Sequence, residues 1–194
     1  MKALRILFLV LTLTAPLLST AQNTDIELLR TFNLERNAQL DQTFLFTTHS
    51  FGVVAIGIPA TLATIGIIKK DSLLKQNALM MTGSLVGSSV IMLGMKYGFG
   101  RDRPFVTYPE LDNLVHPTDP SFPSGHTSVA FTTATSLTLA YPKWYVYVPA
   151  FLWAGAVGYS RMHLGVHYPS DVLVGALIGS GTAFLSSYLT EKIQ

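Results

Sequence analysis

The chain has 194 residues, of which 49% are hydrophobic and 12% charged, with a formal net charge of +2. Soluble domains carry about 25% charged residues, so with a mean hydropathy of +0.40 the composition points to a membrane. The small charge, scattered along the chain, excludes a nucleic-acid surface. The absence of cysteine excludes disulfides, thiolate catalysis and thiolate metal sites.

Residues 1–21 open with Lys2 and Arg5, continue through an apolar run from Ile6 to Leu18, and end in the small residues Ser19 and Ala21. That pattern predicts a secretory signal peptide cleaved after Ala21, with an uncleaved anchor as the rival. Residues 22–48 are mixed in charge, and the spacing of Leu29, Phe32 and Leu40 suits an amphipathic lead-in outside the cytoplasm. An ordinary solvated helix fits the same pattern.

Five runs without Asp, Glu, Lys or Arg follow: His49–Ile68, Gln76–Met95, Thr127–Pro142, Trp144–Ser160 and Val172–Thr190. A spanning helix needs about 17–25 mainly apolar residues. The expectation is therefore an all-α integral membrane bundle of five spans plus a signal peptide or sixth span. The runs are rich in Gly, Ala, Ser and Thr, which let helices approach closely. Lys69, Lys70, Lys75 and Lys143 fall in the short connections and read as cytoplasmic. Lys96–His126 and Arg161–Asp171 then share the outer face.

Three clusters of chemistry lie in those two outer segments. Lys96, Arg101 and Arg103 put three cations within eight residues, two of them guanidinium forks suited to phosphate; snorkelling to head groups is the bland alternative. In "PSGH", Ser124 is placed to cap a helix, Gly125 lets backbone approach a ligand, and His126 falls in a first turn that favours an anion. In "SRMHLGVHYPSD", Asp171 follows His167 by four residues, where it can hold one imidazole nitrogen and activate the other. Capping alone would also explain Asp171. Together these residues suit phosphoryl transfer, one His attacking phosphorus and the other serving as acid and base. A zinc site built from His126, His163, His167 and Asp171 is the chemical rival, opposed by the arginines.

At these residues the chain resembles the type 2 phosphatidic acid phosphatase superfamily, which also holds vanadium haloperoxidases and soluble acid phosphatases. Lys96 with Arg103-Pro104, then Pro123 to His126, then Ser160-Arg161 with His167 and Asp171, match its three motifs in order. The resemblance implies a transmembrane phosphatase domain over residues 49–190. It implies His167 as phosphohistidine nucleophile, Asp171 as its orienter, and His126 as general acid and base. Lys96, Arg103, Ser124, Gly125 and Arg161 would hold phosphate, with Arg101 and His163 as candidate substrate contacts. No metal or other cofactor and no obligate protein partner is implied. The expected substrate is a lipid phosphate (undecaprenyl pyrophosphate, a lipid A phosphate or phosphatidylglycerol phosphate) met at the periplasmic face of a bacterial inner membrane. A vanadate-binding haloperoxidase and a non-catalytic membrane protein are the alternatives.

Overall fold

The computed structural model describes residues 24–193, so the expected signal peptide or anchor of residues 1–21 lies outside the described residues. The described chain is all helix and loop. A short helix α1 (24–34) leads through a 3₁₀ turn (Ala38–Leu40) into α2 (Asp41–Ile68) and α3 (Ser72–Phe99). A one-turn α4 (Pro104–Thr107) precedes a loop, then α5 (Gly125–Ala140), α6 (Trp144–His163) and α7 (Pro169–Ile193).

The local signals explain these boundaries. Asp71 caps α3 by accepting from the backbone N–H groups of Leu73 and Leu74. Gly100, at φ 59°, ends it in the left-handed conformation that suits glycine. Pro104 and Pro169 each open a helix, where a missing N–H costs nothing.

The expected five spans over residues 49–190 are not what the structure holds. Among the described residues, three helical stretches are long and apolar enough to cross a membrane: Ala38–Ile68, Ser72–Thr107 and Pro169–Lys192. The other two runs fail for different reasons. With 16 residues, α5 is about 24 Å long at ~1.5 Å per residue, short of a ~30 Å hydrocarbon core. It is also polar for a span: Thr127, Ser128, Thr132, Thr133, Thr135 and Ser136 are all buried in it. The 20 residues of α6 end in Ser160, Arg161 and His163 and are diluted by Trp, Tyr and Gly. Freedom from charge is thus not the same property as length and hydropathy.

Buried α5 is the hub of the bundle, packed against α2, α3, α6 and α7. Glycine lets α7 press closest: a Cβ at Gly175 would strike the carbonyl of Ser124, and one at Gly179 the carbonyl of Ser128. Small hydroxyl residues complete the seams, with Ser88 and Ser128 hydroxyls 2.7 Å apart and Thr135 donating to Ser180.

The lead-in does not lie free. Ile26 and Leu29 of α1 are buried with Leu111 and Tyr168, so the apolar face of α1 docks on the loops at one end of the bundle. Asn33 fastens it there, donating to the carbonyls of Asp112 and His163 and accepting from the Asp112 N–H.

Candidate active site

The C-terminal ends of α3 and α6 and the N-terminal ends of α5 and α7 meet at that same end of the bundle. Between them is a cavity of about 230 Å³ lined by Lys96, Arg103, Asp119, Gly125, His126, Arg161 and His167, with Phe51, Met92, Leu93 and Val129 on its apolar side. The three separated sequence clusters therefore converge. The cavity's side chains come from four helices and the loops beside them, held in register by the Ser124 N–H donating to the Asp171 carbonyl.

His167 is 1% exposed. Its Nδ1 faces Asp171 Oδ2 and Ser121 Oγ, each at 3.4 Å, while its Nε2 lies 3.3 Å from Arg103 Nη1. Arginine only donates, so Nε2 is the acceptor and the proton belongs on Nδ1, toward Asp171. The Nε2 lone pair is thereby turned to Arg103 at the cavity wall. Burial pushes the His167 pKa down, Asp171 opposes that, and Arg103 and Arg161 push it down further, to about 4.

Asp171 is fully buried and anchored on both oxygens. Oδ2 accepts from Ser121 Oγ and from the Tyr168 N–H at 3.0 Å. Oδ1 accepts from Arg101 Nη1 at 2.7 Å. Arg101 also donates to Asp25 and Ser170 and lies 3.8 Å over the Tyr168 ring. Arg101 thus stands behind the His–Asp pair and outside the cavity lining. His163 is likewise outside: its Nε2 is 2.7 Å from Asp41 Oδ1, with its ring against Phe44 and Tyr159. With His163 turned away, the four-residue zinc set does not assemble.

The cations differ in how they are engaged. Lys96, 3% exposed, donates to Asp119 Oδ2 and the Pro120 carbonyl. Arg103 donates through Nη2 to Asp119 Oδ1, through Nε to the Asp119 carbonyl and through Nη1 to the Val166 carbonyl. Burial raises the Asp119 pKa, but Lys96 and Arg103 outweigh it and hold the carboxyl at about 2. Arg161 donates one Nη1 hydrogen to Thr48, and its buried Nε has no hydrogen-bond partner. Three cations against one carboxylate leave a cavity charged for a dianion.

His126 sits in the first turn of α5, its ring centroid 4.0 Å from that of Phe51. Burial, then the charges of Arg161 and neighbouring groups, push its pKa down to about 2. Ser124 caps α5 by position, its hydroxyl paired with Thr127 at 2.9 Å.

Asp119, Ser121, Thr48 and Asp25 were not anticipated from sequence. Asp119 and Ser121 lie a few residues ahead of "PSGH" in a proline-rich loop, which is the only local signal they carry. Thr48 and Asp25 reach the site purely through tertiary packing.

Residues 77–194 match the PAP2 superfamily. An undecaprenyl-diphosphatase of Sulfolobus acidocaldarius is 34% identical over 186 residues, 94% of this chain and 87% of that protein. The crystal structure of LpxE from Aquifex aeolicus superposes with a TM-score of 0.71 at 30% identity, covering 84% of this chain and 94% of its own. That of a phosphatidylglycerolphosphate phosphatase from Bacillus subtilis gives 0.76 at 27% identity, covering 100% and 96%.

Proposed function

The chain belongs to the PAP2 superfamily, in its membrane-bound lipid phosphatase branch, and from that premise we propose which residues do the chemistry and where. It is a multi-pass membrane protein that removes phosphate from a lipid phosphate without a metal. The observation that carries the mechanism is the His167 Nε2 lone pair, turned to Arg103 at the wall of a cationic cavity and backed by a doubly anchored Asp171.

In the first step His167 Nε2 bonds to phosphorus and the bond from phosphorus to the lipid oxygen breaks. His126 gives that oxygen a proton. Lys96, Arg103 and Arg161 stabilise the equatorial oxygens, Arg161 with its unpaired Nε, and Gly125 at the start of α5 adds a backbone donor. In the second step water attacks the phosphohistidine, His126 takes its proton, and inorganic phosphate leaves. A neutral His126 cannot be the acid. Burial is the first cause of its low pKa and the charges of Arg161, His167 and Arg103 follow; the phosphate dianion offsets those charges and so moves the pKa up, toward the charged form that the first step needs.

The site faces the outside of a bacterial inner membrane in this reading, supported by Lys69, Lys70 and Lys143 lying in connections at the opposite end of the helices, with Lys75 in the first turn of α3 beside them. The substrate is undecaprenyl pyrophosphate, a lipid A phosphate or phosphatidylglycerol phosphate. Phosphate release by the protein in detergent, with EDTA, from these three lipids and phosphatidate tests it. Release from one of them far above the others is expected. Release only after a metal is added would overturn the mechanism.

His167 is expected to be neutral at mildly acid pH. A group held at about 4 is mostly unprotonated at about pH 5.5, where an imidazole at the ordinary value of about 6.5 would be mostly charged. Nitrogen NMR of the histidine-labelled, phosphate-free enzyme should show the Nδ1–H tautomer of His167 at that pH. A doubly protonated ring there would remove the resting nucleophile.

A further inference from the structure

Asp25, in the first turn of α1, is 8% exposed and has no part in the chemistry described above. Its Oδ1 accepts from the Ser170 N–H at 2.8 Å. Its Oδ2 accepts from the Ser170 hydroxyl and, at 2.9 Å, from Arg101 Nη2. The first N–H groups of a helix have no partner within it. Pro169 opens α7, and Tyr168 before it has no short polar side chain to serve the next N–H. The cap of α7 therefore comes from α1, 145 positions away.

Arg101 is the other partner. A guanidinium and a carboxylate frequently meet as two parallel bonds, one arginine taking both oxygens. In this site the fork is divided: Nη2 goes to Asp25, while Nη1 goes to Ser170 Oγ and, at 2.7 Å, to Asp171 Oδ1. Asp171 meets Arg101 with one oxygen, and its Oδ2 stays with Ser121, the Tyr168 N–H and His167 Nδ1. The Tyr168 ring, 3.8 Å from the guanidinium carbon, packs with Ile26 and Leu29 of α1. The lead-in helix thus supports the guanidinium from beneath as well as at its end.

We infer that Asp25 is a positioning residue for His167: by dividing the Arg101 fork, it keeps Asp171 turned toward the imidazole. The inference rests on the phosphohistidine reading of the site and adds to it a side chain from the lead-in helix. Without the Asp25 carboxylate, Arg101 is free to take both oxygens of Asp171. That pairing draws Oδ2 away from His167 Nδ1, and the ring loses the contact that fixes its tautomer. The phosphate seat is untouched, because Lys96 and Arg103 are anchored on Asp119 and Arg161 on Thr48.

The test compares Asp25→Ala, Asp25→Asn, Asp25→Glu, Arg101→Ala and the Asp25→Ala, Arg101→Ala pair in detergent, on a lipid phosphate and on p-nitrophenyl phosphate. In Asp25→Ala, kcat should fall about 10–100-fold on both substrates with KM little changed, the scale on which the outer partners of an oriented imidazole count. Asp25→Asn keeps the acceptor for the Ser170 N–H and removes the charge that holds Arg101, so it should show the same loss even if the alanine variant does not fold. Asp25→Glu should recover part of it. Removing Asp25 from the Arg101→Ala enzyme should cost nothing further in kcat, whereas two independent losses would multiply. Nitrogen NMR of histidine-labelled, phosphate-free protein should show the Nδ1–H form of His167 in the unmodified enzyme and a mixture of both neutral tautomers in Asp25→Asn. Multiplying losses, a loss confined to the lipid substrate, or an unchanged His167 spectrum would overturn the positioning role and leave Asp25 as a fastening for α1. An unmodified enzyme inactive on both substrates, with the spectrum still changed by Asp25→Asn, would sink the phosphatase reading and keep the positioning role.

Discussion

His167→Ala should lose at least about 10³-fold in kcat on any lipid phosphate, with substrate binding little changed. Removal of a covalent nucleophile costs up to about 10⁶-fold in other enzymes, each decade being about 1.4 kcal/mol of barrier. Binding survives because Lys96, Arg103 and Arg161 hold the phosphate oxygens and are anchored independently of the imidazole: Lys96 and Arg103 on Asp119 and its loop, Arg161 on Thr48. The hole left by the ring also separates Asp171 from the cavity without releasing it, since Arg101, Ser121 and the Tyr168 N–H still hold both oxygens. Phosphate release and the KM of the residual activity check this. A variant that keeps most of its rate would show that another group attacks phosphorus.

The residues of the cavity were legible because each cluster is local. Lys96 and Arg103 flank one helix end, Ser124 to His126 begin another, and Arg161, His167 and Asp171 surround the turn between two more. That the two loop segments carrying them meet at one end of the bundle agrees with the alternation of the apolar runs. What could not be read was anything requiring two distant elements to be placed together. Asp119 pairs with Lys96 across 23 positions and Asp25 with Arg101 across 76, and neither has a spacing that announces it. Arg101 looked like a third phosphate cation, yet its guanidinium is directed at Asp171. The span count failed on α5, where buried Thr and Ser made a run that is free of charge without being strongly apolar. Buried hydroxyls in such a helix donate to the carbonyl of the preceding turn, as Thr132 and Thr133 do, and that satisfaction is invisible until the helix exists.

His126→Ala separates the two proton-transfer roles assigned to one side chain. General acid–base catalysis contributes about 10²–10⁴-fold, and a loss of that size is expected on lipid phosphates, whose alkoxide leaving groups need a proton. Nitrophenolate leaves without one, so with p-nitrophenyl phosphate the first step should proceed nearly unimpaired. The second step still lacks the base that activates water. Phosphoenzyme should then accumulate, seen as a burst of nitrophenolate of about one equivalent and as labelled phosphate retained on protein after an alkaline quench. The position of His126 supports this division: it lies at the start of α5 beside Phe51, on the side of the cavity from which the apolar wall leads away, where a leaving lipid oxygen would stand opposite His167. Once the lipid alcohol has departed, water takes that same position, and one imidazole serves both steps. Equal losses on both substrates with no retained label would mean that His126 only shapes the cavity, and that the proton comes from elsewhere.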